Sequence, residues 1–302
     1  MHSRHERKKT WQIATLALPA VLFVFVFSYI PMFGIIVAFK NINFIQGIFR
    51  SPWIGFGNFE FLFKSKDVLL FTRNTLVYNS IIIVLGMIVA LALALLLNEV
   101  RAVYAVKVYQ TVFFFPYFFS WVVVAYAVYS YFSPIGILTT ALNGIGIDIT
   151  NWYLNINYWP PFLIMMAIWK NAGYNCVIYY ASIMGISGEY YEAAHIDGAN
   201  RIQCIRYITI PLLSPMITML LILGIGGVFY SDFGMFFFLP RNSAALLPVT
   251  QTIDTAVFRM LTGSTNIGQT AAVGLFQSLM GFLLVLATNI IVKRRHSENA
   301  IF

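Results

Sequence analysis

Apolar residues run almost without interruption through six stretches of this chain, at about 12–39, 72–97, 108–132, 159–184, 214–239 and 268–292. Each is longer than the roughly 18 residues an α-helix needs to cross a bilayer. The pattern predicts an all-α integral membrane protein with about six transmembrane helices. Pro19 and Pro31 are expected to kink the first span, which lipid tolerates where neighbouring groups satisfy the freed carbonyl. That first run is too long for the core of a signal peptide and ends in no small-residue cleavage site, so it reads as a retained span. The expected organisation is a tail over 1–11, a transmembrane domain over 12–292 and a second tail over 293–302.

The polar connections carry patterns of their own. The longest, Gly185–Ser214, lies between the fourth and fifth spans. Ser187 can cap a helix, with Glu189 in its first turn to complement the dipole. Helical residues run to about Asp197, and Gly198 suits the left-handed turn that ends a helix. Asn200 can cap a second helix with Ile202, Ile205 and Ile208 on one face, and Pro211 and Pro215 mark entry into the fifth span. The aromatic segment Asn58–Lys64 is expected to lie in the membrane interface. Val249, Ile253, Val257 and Leu261 recur every four residues, which predicts an outer amphipathic helix started by Pro248. Residues 144–159 read as an outer loop. Gly86, Ala90 and Ala94, and again Gly274 and Ser278, fall four apart, as in helices that approach closely in lipid.

Composition agrees with the pattern. Sixty per cent of the 302 residues are hydrophobic and 10% are charged, against roughly 25% charged in a soluble domain. The net charge of +8 reflects topology rather than nucleic-acid binding, because the basic residues sit mainly in connections and tails. With both termini cytoplasmic, the inside segments hold eleven: Arg4, Arg7, Lys8, Lys9, Arg101, Lys107, Arg201, Arg206, Lys293, Arg294 and Arg295. The outside segments hold seven: Lys40, Arg50, Lys64, Lys66, Arg73, Arg241 and Arg259. This bias puts the long connection in the cytoplasm. Cys176 falls in an apolar run and Cys204 in a polar connection, a poor placement for a disulfide. No His/Cys cluster has metal-site spacing.

Within the long connection, Glu192-Ala193-Ala194 is followed by three residues, Gly198, nine residues, Ile208, one residue and Ile210-Pro211. This pattern resembles the EAA loop of ABC-importer permeases, with Ile210 where that family usually has Leu. The likeness extends over nearly the whole chain. SPWIGFGNFEFLF before the second span, RNTL at Arg73–Leu76, FFPYFFSWVVVAY at Phe114–Tyr126 and DFGMFF at Asp232–Phe237 are similar to carbohydrate-importer permeases. The similarity is greatest to the branch associated with complex oligosaccharides and polysaccharide fragments. The resemblance implies that the loop is a cytoplasmic coupling helix seated in a groove of an ATPase subunit. Glu192, Ala193, Ala194, Asp197, Gly198, Ile208 and Pro211 would carry that coupling. It also implies a heterodimer with a second homologous permease, two ATPase subunits, an external sugar-binding lipoprotein and a bacterial plasma membrane. No GxxxxGK[ST] phosphate loop occurs in this chain. ATP and Mg would therefore belong to the partner ATPases, and this chain would be a transport subunit rather than an enzyme, with no cofactor of its own.

Charges inside a span are costly and usually face a cavity or a partner. Lys170 in the fourth span and Asp232 in the fifth fall at similar depths, and are expected to face a central cavity or each other. Sugar sites combine aromatic faces with amides and carboxylates, so Tyr117, Trp121, Tyr126, Asn171, Tyr174 and Gln277 complete the candidate pathway. Gly224, Gly226 and Gly227 fit either bending or close packing. Lone His195 reads as a surface or partner-facing residue, and the spacing around Asp148 does not match an intramembrane aspartyl protease. A different polar cargo such as glycerol phosphate keeps the same class. A self-sufficient secondary transporter would need inverted repeats and coupling-ion carboxylates, which the sequence does not display. An intramembrane enzyme would need a nucleophile–base or metal set, which it also lacks.

Overall fold

The computed structural model describes residues 14–149, 152–263 and 266–295. The expected tail over 1–11 and residues 296–302 of the second tail lie outside the described residues. The described residues are helical apart from turns, extended links and a single β-bridge between Lys40 and Trp53. The chain forms two compact units, Met1–Lys64 with Met260–Leu275, and Ser65–Arg259 with Phe276–Phe302.

The first unit contains α1, Ala14–Phe39. Pro31 is accommodated by a widened π turn over Phe25–Tyr29, in which the Ile30 N–H reaches the Phe25 carbonyl. The helix tightens to a 3₁₀ helix over Phe33–Phe39. Buried Asn58 then donates to the carbonyls of Ala38 and Lys40, both at 2.9 Å. The aromatic segment thus holds the end of α1 through an amide, beside its own short helix Glu60–Lys64.

The second unit is built around two long helices, α2 (Lys66–Asn98) and α6 (Trp159–Met184). Between them come α3 (Val103–Phe114), α4 (Trp121–Phe132) and α5 (Ile137–Gly144). Ala90 and Ala94 of α2 are fully buried against Cys176, Tyr179 and Ile183 of α6. At Gly173 of α6 an added Cβ would overlap the Phe113 carbonyl of α3, so only glycine allows this approach. A second core gathers Trp121 and Val124 of α4, Trp159 and Leu163 of α6, and Phe236 and Leu239 beyond the fifth span. The expected outer loop folds onto it: Trp152 stacks on Phe132 at 4.6 Å and accepts from Trp159 Nε1.

Beyond α6 lie α7 (Gly188–Ile196), α8 (Arg201–Gly226), α9 (Phe233–Phe238), α10 (Ile253–Gly263) and α11 (Ile267–Arg295). Four expectations are corrected here. The third span, expected over 108–132, is broken by a 3₁₀ turn at Phe115–Phe118 and extended Phe119–Ser120. Pro116 has no N–H to continue the helix. The fifth span, expected over 214–239, begins at Arg201 and stops at Gly226. Pro211 does not break α8, because a π turn over Ile205–Thr209 precedes it as one precedes Pro31. The run of Gly224, Gly226 and Gly227 ends the helix, and Asp232 starts a new one by accepting from Met235 N–H. The outer helix is split into Leu247–Thr250 and α10, where Thr252 and Ile253 take hydroxyl caps from Thr255 and Thr75. Cys204, placed by sequence in a polar connection, is buried, and both cysteines are free.

Among the described residues, five stretches are long and apolar enough to cross a membrane: α1, α2, Trp121–Gly144, α8 and Ile267–Arg294 of α11. The 26-residue α6, which carries Lys170, Asn171 and Asn175, is not among these five.

Candidate functional site

A cavity of about 440 Å³ opens among α2, α6 and α8, beside the break between α3 and α4. Its apolar wall includes Ile82, Ile83, Met87, Leu220 and Leu221, and Gly86 and Gly224 widen it. Its polar and aromatic side holds Tyr117, Asn171, Tyr174 and Asn175. The rings of Tyr117 and Tyr174 stack at 4.8 Å and 15°, and Phe114 extends the stack. Asn171 donates back to Ala167 at 3.0 Å, which leaves its amide oxygen as an acceptor. Among the described residues, no charged side chain lines this cavity.

The remaining pathway candidates fall elsewhere. Lys170 is 9% exposed. Its ammonium donates to the carbonyls of Tyr117 and Phe119 and lies 5.1 Å above the Trp121 ring. Trp121 Nε1 donates to Asp232 Oδ2 at 2.5 Å, so the expected link between Lys170 and Asp232 runs through the indole. Gln277 is buried and donates to the Phe229 carbonyl and to Asp254 Oδ1. Tyr126 is exposed and lines a second cavity of about 260 Å³ with Phe237, Phe238, Arg241 and Asn242. There the Arg241 guanidinium lies 3.8 Å from the Tyr129 ring. Burial raises the hydroxyl pKa of neighbouring Tyr153 above the usual phenol range, against the pull of Arg241.

One face of α2 performs work that hydropathy does not reveal. Asn74 donates to the carbonyls of Pro248 and Gln251, both at 3.0 Å. Tyr78 donates to Val249, and Asn79 to Val228 and Tyr230. Asp254 accepts from the N–H and hydroxyl of Ser231, each at 2.7 Å. Broken backbone among helices is thus satisfied by side chains, as a water-poor setting demands. Four polar residues at positions 74, 75, 78 and 79, one turn apart on an apolar helix, are the sequence signal for this role.

The connection after α6 is a rigid helix–turn–helix. Ser187 accepts from Glu189 N–H and begins α7. Gly198 adopts φ +78°, the Ala199 N–H returns to Ala194 and the Gly198 N–H to His195. These two bonds form the Schellman closure that glycine favours. Asn200 and Gln203 form a reciprocal capping box at the start of α8. Tyr191 bonds Thr209 at 2.9 Å, and Arg201 pairs with Glu99 at the end of α2 at 3.1 Å. Glu192, Ala193, Asp197, Gly198 and Pro211 are exposed, while Ala194 and Ile208 are half-buried. Ile196 is 87% exposed and Ile202 76%. Such apolar exposure on a braced turn has the character of a docking face.

A family model described as "Binding-protein-dependent transport system inner membrane component" matches residues 82–297. The polygalacturonan/rhamnogalacturonan transport system permease protein YteP of Bacillus subtilis (strain 168) is 32% identical over 284 residues, covering 94% of this chain and 88% of that protein. Protein LplB of the same organism is 31% identical, covering 94% and 89%. A solved bacterial alginate ABC transporter, in complex with alginate pentasaccharide-bound periplasmic protein, contains a chain of the same fold. That chain superposes with a TM-score of 0.85 at 30% identity, over 96% of each chain.

Proposed function

This chain belongs to the inner membrane components of binding-protein-dependent transport systems, and from that premise we propose that it forms half of a translocation pathway for an oligosaccharide or polysaccharide fragment. It is a multi-pass permease subunit of an ABC importer and not itself an enzyme. Two partner ATPase chains bind ATP and Mg. A second homologous permease completes the pathway as a heterodimer, and an external lipoprotein delivers the sugar.

Our reading counts α6 as a sixth span, with both termini and the α7–α8 turn in the cytoplasm. The observation that carries the coupling role is that turn: capped at both helices, tied to α2 by Arg201, and presenting Glu192 and Ile196 outward. A rigid knob transmits movement of an ATPase dimer to the spans, whereas a flexible loop would absorb it. Glu192, Ala193, Ala194, Asp197, Gly198, Ile208 and Pro211 make up the coupling surface and its frame.

Cargo passes along the cavity beside Tyr117, Asn171 and Tyr174. Stacked rings suit sugar faces and the amides suit hydroxyls. The uncharged wall offers no cation to a phosphate ester, so a glycerol-phosphate-type cargo fits this half less well. Tyr126 lies on the second cavity and Lys170 holds the Tyr117 carbonyl at the edge of the first, while the Trp121–Asp232 pair and Gln277 tie neighbouring helices together.

Gentle purification of the tagged chain tests the reading. The wild type is expected to bring a second permease and a P-loop ATPase. Glu192→Arg or Gly198→Pro is expected to release the ATPase and keep the permease partner. A chain that purifies alone and still transports in liposomes would refute it.

A further inference from the structure

The break between α3 and α4 leaves backbone carbonyls without helical partners, in a setting where water is scarce. Lys170 meets two of them, at Tyr117 and Phe119. We propose that Lys170 is a positioning residue whose buried ammonium holds this break in shape and thereby sets the Tyr117 ring in the cargo cavity. This rests on the reading of the cavity as part of the pathway.

Three neighbours on the same stretch of α6 support it. Gly173 admits the backbone of α3 at Phe113, so the two helices meet without slack. Tyr174, one turn from Lys170, supplies the ring on which Tyr117 stacks. Asn171 supplies the adjacent amide of the cavity wall. Lys170 does not itself line the cavity, so its influence on cargo passes through the Tyr117 carbonyl. The far side of the joint is fixed as well. Trp121 opens α4 beneath the ammonium and is tied to Asp232, the N-cap of α9. One cation therefore organises the junction of α6, the broken third span and α9.

The test uses the complete importer in liposomes, with uptake of labelled polysaccharide digests measured against the concentration of loaded binding protein. Lys170→Met is expected to lower uptake about tenfold, as loss of a charge-assisted donor would, without loss of subunits from the complex. Lys170→Arg, which keeps two donors, restores most of it. Because Lys170 acts through Tyr117, Lys170→Met in a Tyr117→Leu background is expected to add less than about twofold. Equal losses in both backgrounds, or full uptake with Lys170→Met, would overturn the proposal. If Tyr117→Leu alone leaves uptake intact, the cavity reading fails instead.

A cargo-independent arm uses Tyr117→Cys in a background lacking Cys176 and Cys204. Its reaction rate with a small maleimide is expected to change several-fold on adding Lys170→Met and to return with Lys170→Arg. An unchanged rate refutes the positioning role even where Lys170→Met fails to assemble, since Lys170→Gln can be read in its place.

Discussion

Lys170 and Asn79 perform the same service at different breaks: each donates to two carbonyls that a helix would otherwise have satisfied. The opposite device is Gly173, where a missing side chain lets backbone meet backbone. Gly173→Ala should therefore be damaging, because the atom it meets belongs to the Phe113 main chain and cannot rotate aside. Overpacking of this kind costs about 1–3 kcal/mol, and should appear as a lowered thermal unfolding midpoint of the purified complex. Gly86→Ala is the control. Nothing lies within 4 Å of its added methyl, and alanine is favoured in a helix by about 1 kcal/mol, so the midpoint should hold or rise. Equal effects at both sites would show that the approach at Gly173 is looser than the structure has it. The polar face of α2 is visible in the sequence as Asn74, Thr75, Tyr78 and Asn79. Its partners are not, because they lie some 150 to 180 positions away, in apolar stretches with no side-chain signal of their own.

At the scale of elements, local chemistry was readable and backbone breaks were not. Ser187, Gly198 and Asn200 act within four residues of themselves, so the helix–turn–helix follows directly from residue types. Hydropathy is blind to backbone hydrogen bonding, and FFPYFFSW is apolar on both sides of its break. The third span therefore reads as continuous when it is not. The two ties on the α7–α8 turn should differ in weight. Arg201 and Glu99 are exposed by 66% and 38%, and exposed pairs contribute about 0–1 kcal/mol. The capping box satisfies N–H groups that have no other helical partner, and losing an Asn cap costs about 1 kcal/mol. Asn200→Ala should loosen the turn and weaken ATPase retention during purification, whereas Arg201→Ala should leave it within about twofold. Amide exchange across residues 197–205 provides a second readout, with faster exchange in the first variant only. The reverse ranking would assign the rigidity of the turn to the ion pair.

For the whole molecule, the question is whether α6 crosses the bilayer. It carries Lys170, Asn171 and Asn175 in its middle, and it is packed by α2, α3 and α8. A helix enclosed by others need not be uniformly apolar, since its polar groups find partners inside the protein rather than in lipid. That is why a composition test passes over α6 while its neighbours treat it as the axis of the unit. The eleven-to-seven bias of basic residues depends on the same crossing, because it puts the α7–α8 turn opposite the loop before Trp159. Single cysteines at Asn157→Cys and Glu189→Cys, introduced without Cys176 and Cys204, decide it. Both positions are exposed and flank α6. With α6 as a span, a membrane-impermeant maleimide labels Asn157→Cys on intact cells, and Glu189→Cys only after permeabilisation. Labelling of both from one side would remove α6 from the spans, and labelling of Glu189→Cys on intact cells would take the coupling turn out of reach of a cytoplasmic ATPase.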